Sequence, residues 1–272
     1  MNITTTVARA YRAEMIKLRR PSTLAAMGVI GALSVLATVL AYALAHATPD
    51  LTVTARGSGF QVMLAQLAAP AGPTLGFVGG TTFIGLLVFV VFTVSMTNEY
   101  GQGTLRTLFL REPRRLGWLG GRLGAMFSAL AAALLVALML SVATALLMSQ
   151  IRGIDTSQWW TGAALREAAD NYLNALVGTV FFALVGTTLG ILLRSTTLAL
   201  AIGIAWMFPV EHIVQNAWSG ATGVFPGLVF DAVGRGGVVD ASYGSALAVG
   251  TGYALIAAVL GAVSLARRDV TA

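Results

Sequence analysis

The stretch LGAMFSALAAALLVALMLSVATALLM, from Leu123 to Met148, runs for 26 residues without a charged side chain. A helix that crosses ~30 Å of hydrocarbon needs about 20 predominantly apolar residues, and this run exceeds that length. Four more uncharged runs flank it, at Pro21–Ala45, Leu75–Met96, Tyr172–Leu193 and Ala241–Ala266. A sixth, Ser195–Val210, is shorter and then meets Glu211. Ala, Leu, Val and Gly dominate these runs, and the alternation expected of a membrane barrel is missing. Backbone polar groups find no partner in lipid, so each run must satisfy them internally as a helix. The predicted fold class is an all-α membrane protein. Its six transmembrane helices lie at about 21–46, 75–97, 122–148, 172–193, 195–210 and 241–266, within one domain spanning 1–272.

Composition agrees with that reading. Of 272 residues, 57% are hydrophobic and only 10% charged, with mean hydropathy +0.81. A soluble domain needs about 25% charged residues to solvate its surface. The first run is too long for the 7–15-residue apolar core of a cleaved signal peptide. Cysteine is absent, which excludes disulfides, thiolate nucleophiles and zinc–cysteine sites.

The net charge of +6 reads as a topology signal once it is mapped onto the spans. With both termini on the cytoplasmic side, 13 of the 17 basic residues fall in inside segments, leaving Arg56, Arg152, Arg166 and Arg235 outside. Four acids lie inside (Glu14, Glu99, Glu112, Asp269) and seven outside. The positive-inside rule then orients the chain in a cell inner or plasma membrane with both termini cytoplasmic. No nucleic-acid partner is needed to explain the charge.

Between the spans, residues 2–20 read as a basic amphipathic helix: Ile3, Val7, Tyr11, Met15 and Leu18 recur at three- to four-residue spacing, and Pro21 ends it. The outer loop at 47–74 holds Pro49, Pro70 and Pro73, with a short surface helix expected over Phe60–Ala69. The outer loop from Gln150 to Asn171 contains Trp159 and Trp160, which suit an interfacial aromatic belt. The fifth span is irregular. Pro209 is expected to break it, and Glu211, a Gly-rich turn and the segment from Pro226 follow within 211–240. That pattern predicts a re-entrant hairpin sheltered by protein, against a tilted helix ending near Trp218.

Catalytic signatures are missing. A phosphate-binding loop needs GxxxxGK[ST], and the single lysine, Lys17, follows Met15 and Ile16. His46 and His212 are far apart and sit in no metal-binding pattern. The spans proper carry no ionisable residue of the kind that drives ion-coupled carriers, Glu211 being the one candidate. No catalytic residue, cofactor site or metal site is expected in this chain. The glycine pairs Gly76/Gly80 and Gly186/Gly190 permit close helix packing.

The loop between spans two and three, residues 98–121, is the informative one. It reads Asn98-Glu-Tyr-Gly-Gln-Gly-Thr-Leu-Arg-Thr-Leu-Phe-Leu-Arg-Glu-Pro-Arg-Arg115 and then returns through Leu-Gly-Trp-Leu-Gly-Gly-Arg122. Leu105, Leu108 and Phe109 form an apolar stripe, Thr104 is placed to cap the helix, and Pro113 stops it. A short amphipathic helix across the cytoplasmic face is the kind of element that docks in a partner's groove.

Glu99 to Arg122 resembles the loop of type-2 ATP-binding-cassette exporter permeases, in which an acid precedes GTLRTLL and a Pro-Arg-Arg turn. Ala13-Glu-Met-Ile-Lys-Leu-Arg-Arg20 is similar to the elbow helix of that family. Arg122 departs from many relatives, which carry Lys there. The resemblance implies that Glu99, Gly103, Thr104, Leu105, Arg106 and Leu108 belong to a coupling helix, with Pro113 and Arg114 in the turn after it. It also implies two ATPase subunits that bind ATP and Mg, and a second permease copy or a paralogue. Glu211 and Pro226 would lie in the outer re-entrant segment. An apolar path between two permeases suits amphiphiles such as lipids, peptides or drugs. An ion-coupled carrier and a non-transporting membrane scaffold or sensor are the competing expectations.

Overall fold

Apolar runs mark where a helix crosses lipid, but a helix ends only where its backbone bonds are capped or broken. In the computed structural model, which describes residues 3–46, 62–111 and 114–267, the helices outlast the runs. In chain order they are α1 (Ile3–Lys17), α2 (Pro21–Ala43), α3 (Leu64–Ala68), α4 (Leu75–Gly101), α5 (Thr104–Arg111) and α6 (Arg115–Arg152). Then come α7 (Gly162–Leu193), α8 (Thr196–Ala205), α9 (Glu211–Ala217), α10 (Pro226–Gly234) and α11 (Tyr243–Arg267). Six spans among the described residues are long and apolar enough to cross a membrane. The chain is a multi-pass helical membrane protein.

The span bounds differ from the apolar runs. The third span begins at Arg115 rather than 122, and at 38 residues it is about 57 Å long, well beyond the hydrocarbon. The fourth begins at Gly162, taking Arg166, Glu167 and Asp170 into a polar first third. Charge does not end a helix outside lipid; it only ends the hydropathy signal. The fifth span also continues past Pro209, contrary to expectation. A π-helical turn at Trp206–Val210 joins α8 to α9, so the helical path reaches Ala217. The wider turn accommodates a ring that lacks an N–H and would clash with the preceding turn.

α4 and α7 form the centre and are the most buried spans. Phe77, Ile84, Val88 and Phe92 of α4 pack with Leu130 and Leu134 of α6 and with Ala175 and Ala183 of α7. The glycine pairs act as expected at these contacts. A Cβ at Gly76 would lie 2.3 Å from Thr38 Cα, and one at Gly186 would lie 2.6 Å from the Phe89 carbonyl oxygen. Helices in lipid associate through such close packing, because burial from water adds nothing there.

α10 wedges between α7, α11 and α4. Phe230 is its centre, with rings of Phe181, Phe182 and Tyr253 at 5.5, 5.2 and 6.3 Å.

The end opposite the termini is closed by side chains bonding across loops. Trp159 is buried, its Nε1 donating to the Leu67 carbonyl at 3.0 Å, while Tyr42 meets its edge and donates to the Gly72 carbonyl at 3.2 Å. Only Trp160 keeps the exposed position expected of both tryptophans. The short helix expected over 60–69 is α3, Leu64–Ala68; Phe60 and Pro49 lie outside the described residues.

Candidate functional site at the basic end

Three helix ends meet where α1 crosses the bundle. α4 finishes at Gly101, and Gly103 turns the chain with φ +66, a conformation that a side chain would strain. α5 then lies against the ends of α4, α6 and α11. Its stripe faces inward: Leu105 is fully buried with Met96, Trp118, Leu119, Ile191 and Leu265, and Leu108 and Phe109 pack beside it. The Phe109 ring meets Trp118 edge-on at 5.5 Å, and the Arg115 guanidinium sits over its face at 5.4 Å. Arg115 Nη1 also donates to the Leu265 carbonyl at 3.1 Å, tying in α11.

This corrects the expectation that Leu105 and Leu108 are free to enter a partner. The stripe fastens α5 to its own bundle. The opposite side holds Arg106, Thr107 and Leu110, all exposed, with Leu110 81% accessible. Arg114 is exposed beyond the helix, at the N-cap of α6. Pro113 lies outside the described residues.

Beneath α5 is a charged knot. Arg122 Nη1 donates to Glu14 Oε1 at 3.0 Å and to Glu99 Oε1 at 2.9 Å. Lys17 Nζ reaches the same two oxygens at 2.8 and 2.9 Å. The second arm of Arg122, Nη2, donates to the Ser95 carbonyl at 2.9 Å and to its hydroxyl at 2.6 Å. Two acids and two bases balance, as burial of charge requires. Glu99 has a further tie: the Thr104 hydroxyl, expected as a helix cap, donates to the Glu99 carboxylate and, at 3.0 Å, to its carbonyl. One carboxylate therefore joins α1, α4, the start of α5 and α6.

Among the predicted site residues, the fold brings Glu99, Gly103, Thr104, Leu105 and Leu108 together and leaves Arg106 and Arg114 pointing away. Sequence reasoning missed Glu14, Lys17, Ser95 and Arg122. A signal existed: Glu14 is the lone acid in a basic helix, and Glu99 and Arg122 each stand alone beside a span.

Glu211 and Pro226 meet at the other end. Pro226 opens α10 at a position where a missing N–H costs nothing. Glu211 is fully buried, and its Oε2 accepts from Leu228 N at 3.0 Å. It therefore caps α10 from another helix, one carboxyl oxygen accepting a backbone N–H that the first turn leaves free. Gly227 makes room, since a Cβ there would lie 2.7 Å from that oxygen. Asp231, one turn on, accepts from the Thr82 hydroxyl of α4.

A family model described as a protein of unknown function (DUF2705) matches residues 62–271, from just before α3 to beyond the end of α11. No curated protein matches the chain.

Proposed function

The chain belongs to the DUF2705 family, and from its geometry we propose that it is the permease subunit of an ATP-driven exporter. In this reading α1 is the elbow helix, α5 the coupling helix, and α10, after the fifth span ends at Ala217, the re-entrant outer segment. Two copies, or one copy and a paralogue, enclose a path for an amphiphilic or hydrophobic substrate. ATP and Mg are bound by two separate ATPase subunits on the cytoplasmic side.

The observation that carries the proposal is the two-sidedness of α5. One side is pinned by a buried leucine, and the other leaves Arg106, Thr107 and Leu110 exposed. A rigidly seated helix with an outward stripe suits a groove on a partner. The knot supports the same reading, because motion of α5 is transmitted through Glu99 to α1, α4 and α6.

The test is co-purification with an ATPase encoded beside this chain, followed by ATP turnover with and without amphiphiles in nanodiscs. Arg106→Glu combined with Leu110→Asp is expected to abolish co-purification while leaving thermal unfolding unchanged. Charge reversal and loss of an anchor at an interface each cost about 2 kcal/mol or more. Leu105→Ala is expected to act differently, lowering the stability of the chain itself by about 2–5 kcal/mol. If the double variant assembles and responds to cargo like wild type, α5 is not the coupling helix.

Orientation has its own test, helped by the absence of cysteine. Arg114 and Asp155 are both exposed at opposite ends of α6 and its following loop. With both termini cytoplasmic, an impermeant maleimide labels Asp155→Cys in intact cells and Arg114→Cys only after permeabilisation. The reverse pattern inverts the topology.

A further inference from the structure

We infer that the basic end holds a binding site for one anionic phospholipid of the adjacent leaflet, seated between α1, α2, α4 and α6. A cavity of about 380 Å³ opens there, with a polar mouth formed by Lys17, Arg20, Ser22, Asn98 and Gln102 above the charged knot. Its deeper wall is apolar and runs into a slot lined by Ile30, Val88, Phe92, Leu130 and Ala133. Leu18, Thr23, Ala26, Val91 and Met126 line both compartments, so the two adjoin.

The dimensions match one leaflet. From Arg122 at the mouth to Ala133 at the far end of the slot, α6 advances eleven residues, or about 16 Å. Half of a ~30 Å hydrocarbon core is about 15 Å. A ligand with its polar head at the mouth and an apolar tail laid along the slot therefore spans about one leaflet.

The charges select the sign of the head. Within the knot, Glu14 and Glu99 are balanced by Lys17 and Arg122. Arg20 also lines the mouth, is exposed, and makes no ion pair with another described residue. The mouth thus carries one positive charge in excess, and the Lys17 side chain is 39% accessible beside it. A phosphodiester anion satisfies Arg20, while its acyl chain lies along the open apolar face of the slot. The site stands whether or not the chain is an exporter, because it needs only the fold and a membrane.

The experiment uses the full-length chain in detergent, exchanged with equal amounts of phosphatidylglycerol and phosphatidylcholine of identical chains and read by native mass spectrometry. Wild type is expected to retain one phosphatidylglycerol in preference to phosphatidylcholine by about fivefold, the effect of one arginine near a headgroup. Arg20→Gln is expected to erase the preference. Arg19→Gln removes the same charge from an exposed neighbour that lines neither compartment, and is expected to keep it. Ala26→Phe narrows the junction of the two compartments and is expected to lose the retained lipid of either kind. Equal retention of the two lipids by wild type, or equal behaviour of Arg20→Gln and Arg19→Gln, overturns the headgroup assignment. Undiminished retention by Ala26→Phe overturns the acyl seat.

Discussion

Replacing Arg122 by Met is expected to destabilise the bundle by about 3–5 kcal/mol, because it leaves buried carboxylates without their main counter-charge. Methionine fills similar space, so lost volume is not the cause. The Arg122 side chain is only 4% accessible, and those of Glu14 and Glu99 are 6% and 14% accessible. After the substitution, Lys17 alone faces both acids. Arg122→Lys keeps the balance but cannot reach Ser95 and the carboxylates at once, since an ammonium is a point charge and not a fork. Losing that arm is expected to cost about 1.5–3 kcal/mol, the usual range for a hydrogen bond to a charged group. Unfolding midpoints in one fixed detergent give the comparison. Glu99→Gln placed on Arg122→Met should recover part of the loss, a coupling expected of residues in one network. If Met and Lys at this position prove equally stable, the knot carries no net electrostatic weight. Hydrogen exchange in α5 should rise with Arg122→Met, because Thr104 is held through Glu99.

A comparable loss is expected at the other end of the molecule. Phe230→Ala removes the ring on which Phe181, Phe182 and Tyr253 converge, and truncation of a buried Phe typically costs about 3–5 kcal/mol. α10 is short, at nine residues, and Phe230 is its largest buried side chain, with Leu228, Val229, Ala232 and Val233, the Glu211 cap and the Asp231–Thr82 bond holding the rest. The substitution should therefore free α10 before it unfolds the spans. Limited proteolysis or exchange confined to 218–242 is the measurement. A uniform loss of protection across all helices would mean that α10 and the bundle fold as one unit.

The sequence is legible where lipid imposes a rule and silent where contacts between distant residues decide. Six apolar runs gave six spans, because no other backbone arrangement survives in hydrocarbon. The ends of the third and fourth spans were not visible, since a helix that leaves the membrane continues through polar residues without changing its bonds. Pro209 was read as a break, yet local widening to a π turn lets the helical path continue. The stripe at Leu105, Leu108 and Phe109 was recognisable as amphipathic, but spacing alone does not say which side faces the bundle. The knot was out of reach for another reason: Glu14 and Arg122 are 108 residues apart, and only the crossing of α1 over α6 makes them neighbours.

Lys17 is the only lysine in the chain, and it sits in that knot. Amine-directed chemistry therefore has a single side chain to find, with no background from a scattered surface population. An acylating reagent must reach an Nζ held between two carboxylates. The rate at which this one amine is modified reports how firmly the Glu14 and Glu99 ion pairs hold it. Cross-linkers aimed at amines report from the same place. Digestion after lysine alone cuts the chain once, separating α1 from the bundle it is fastened to.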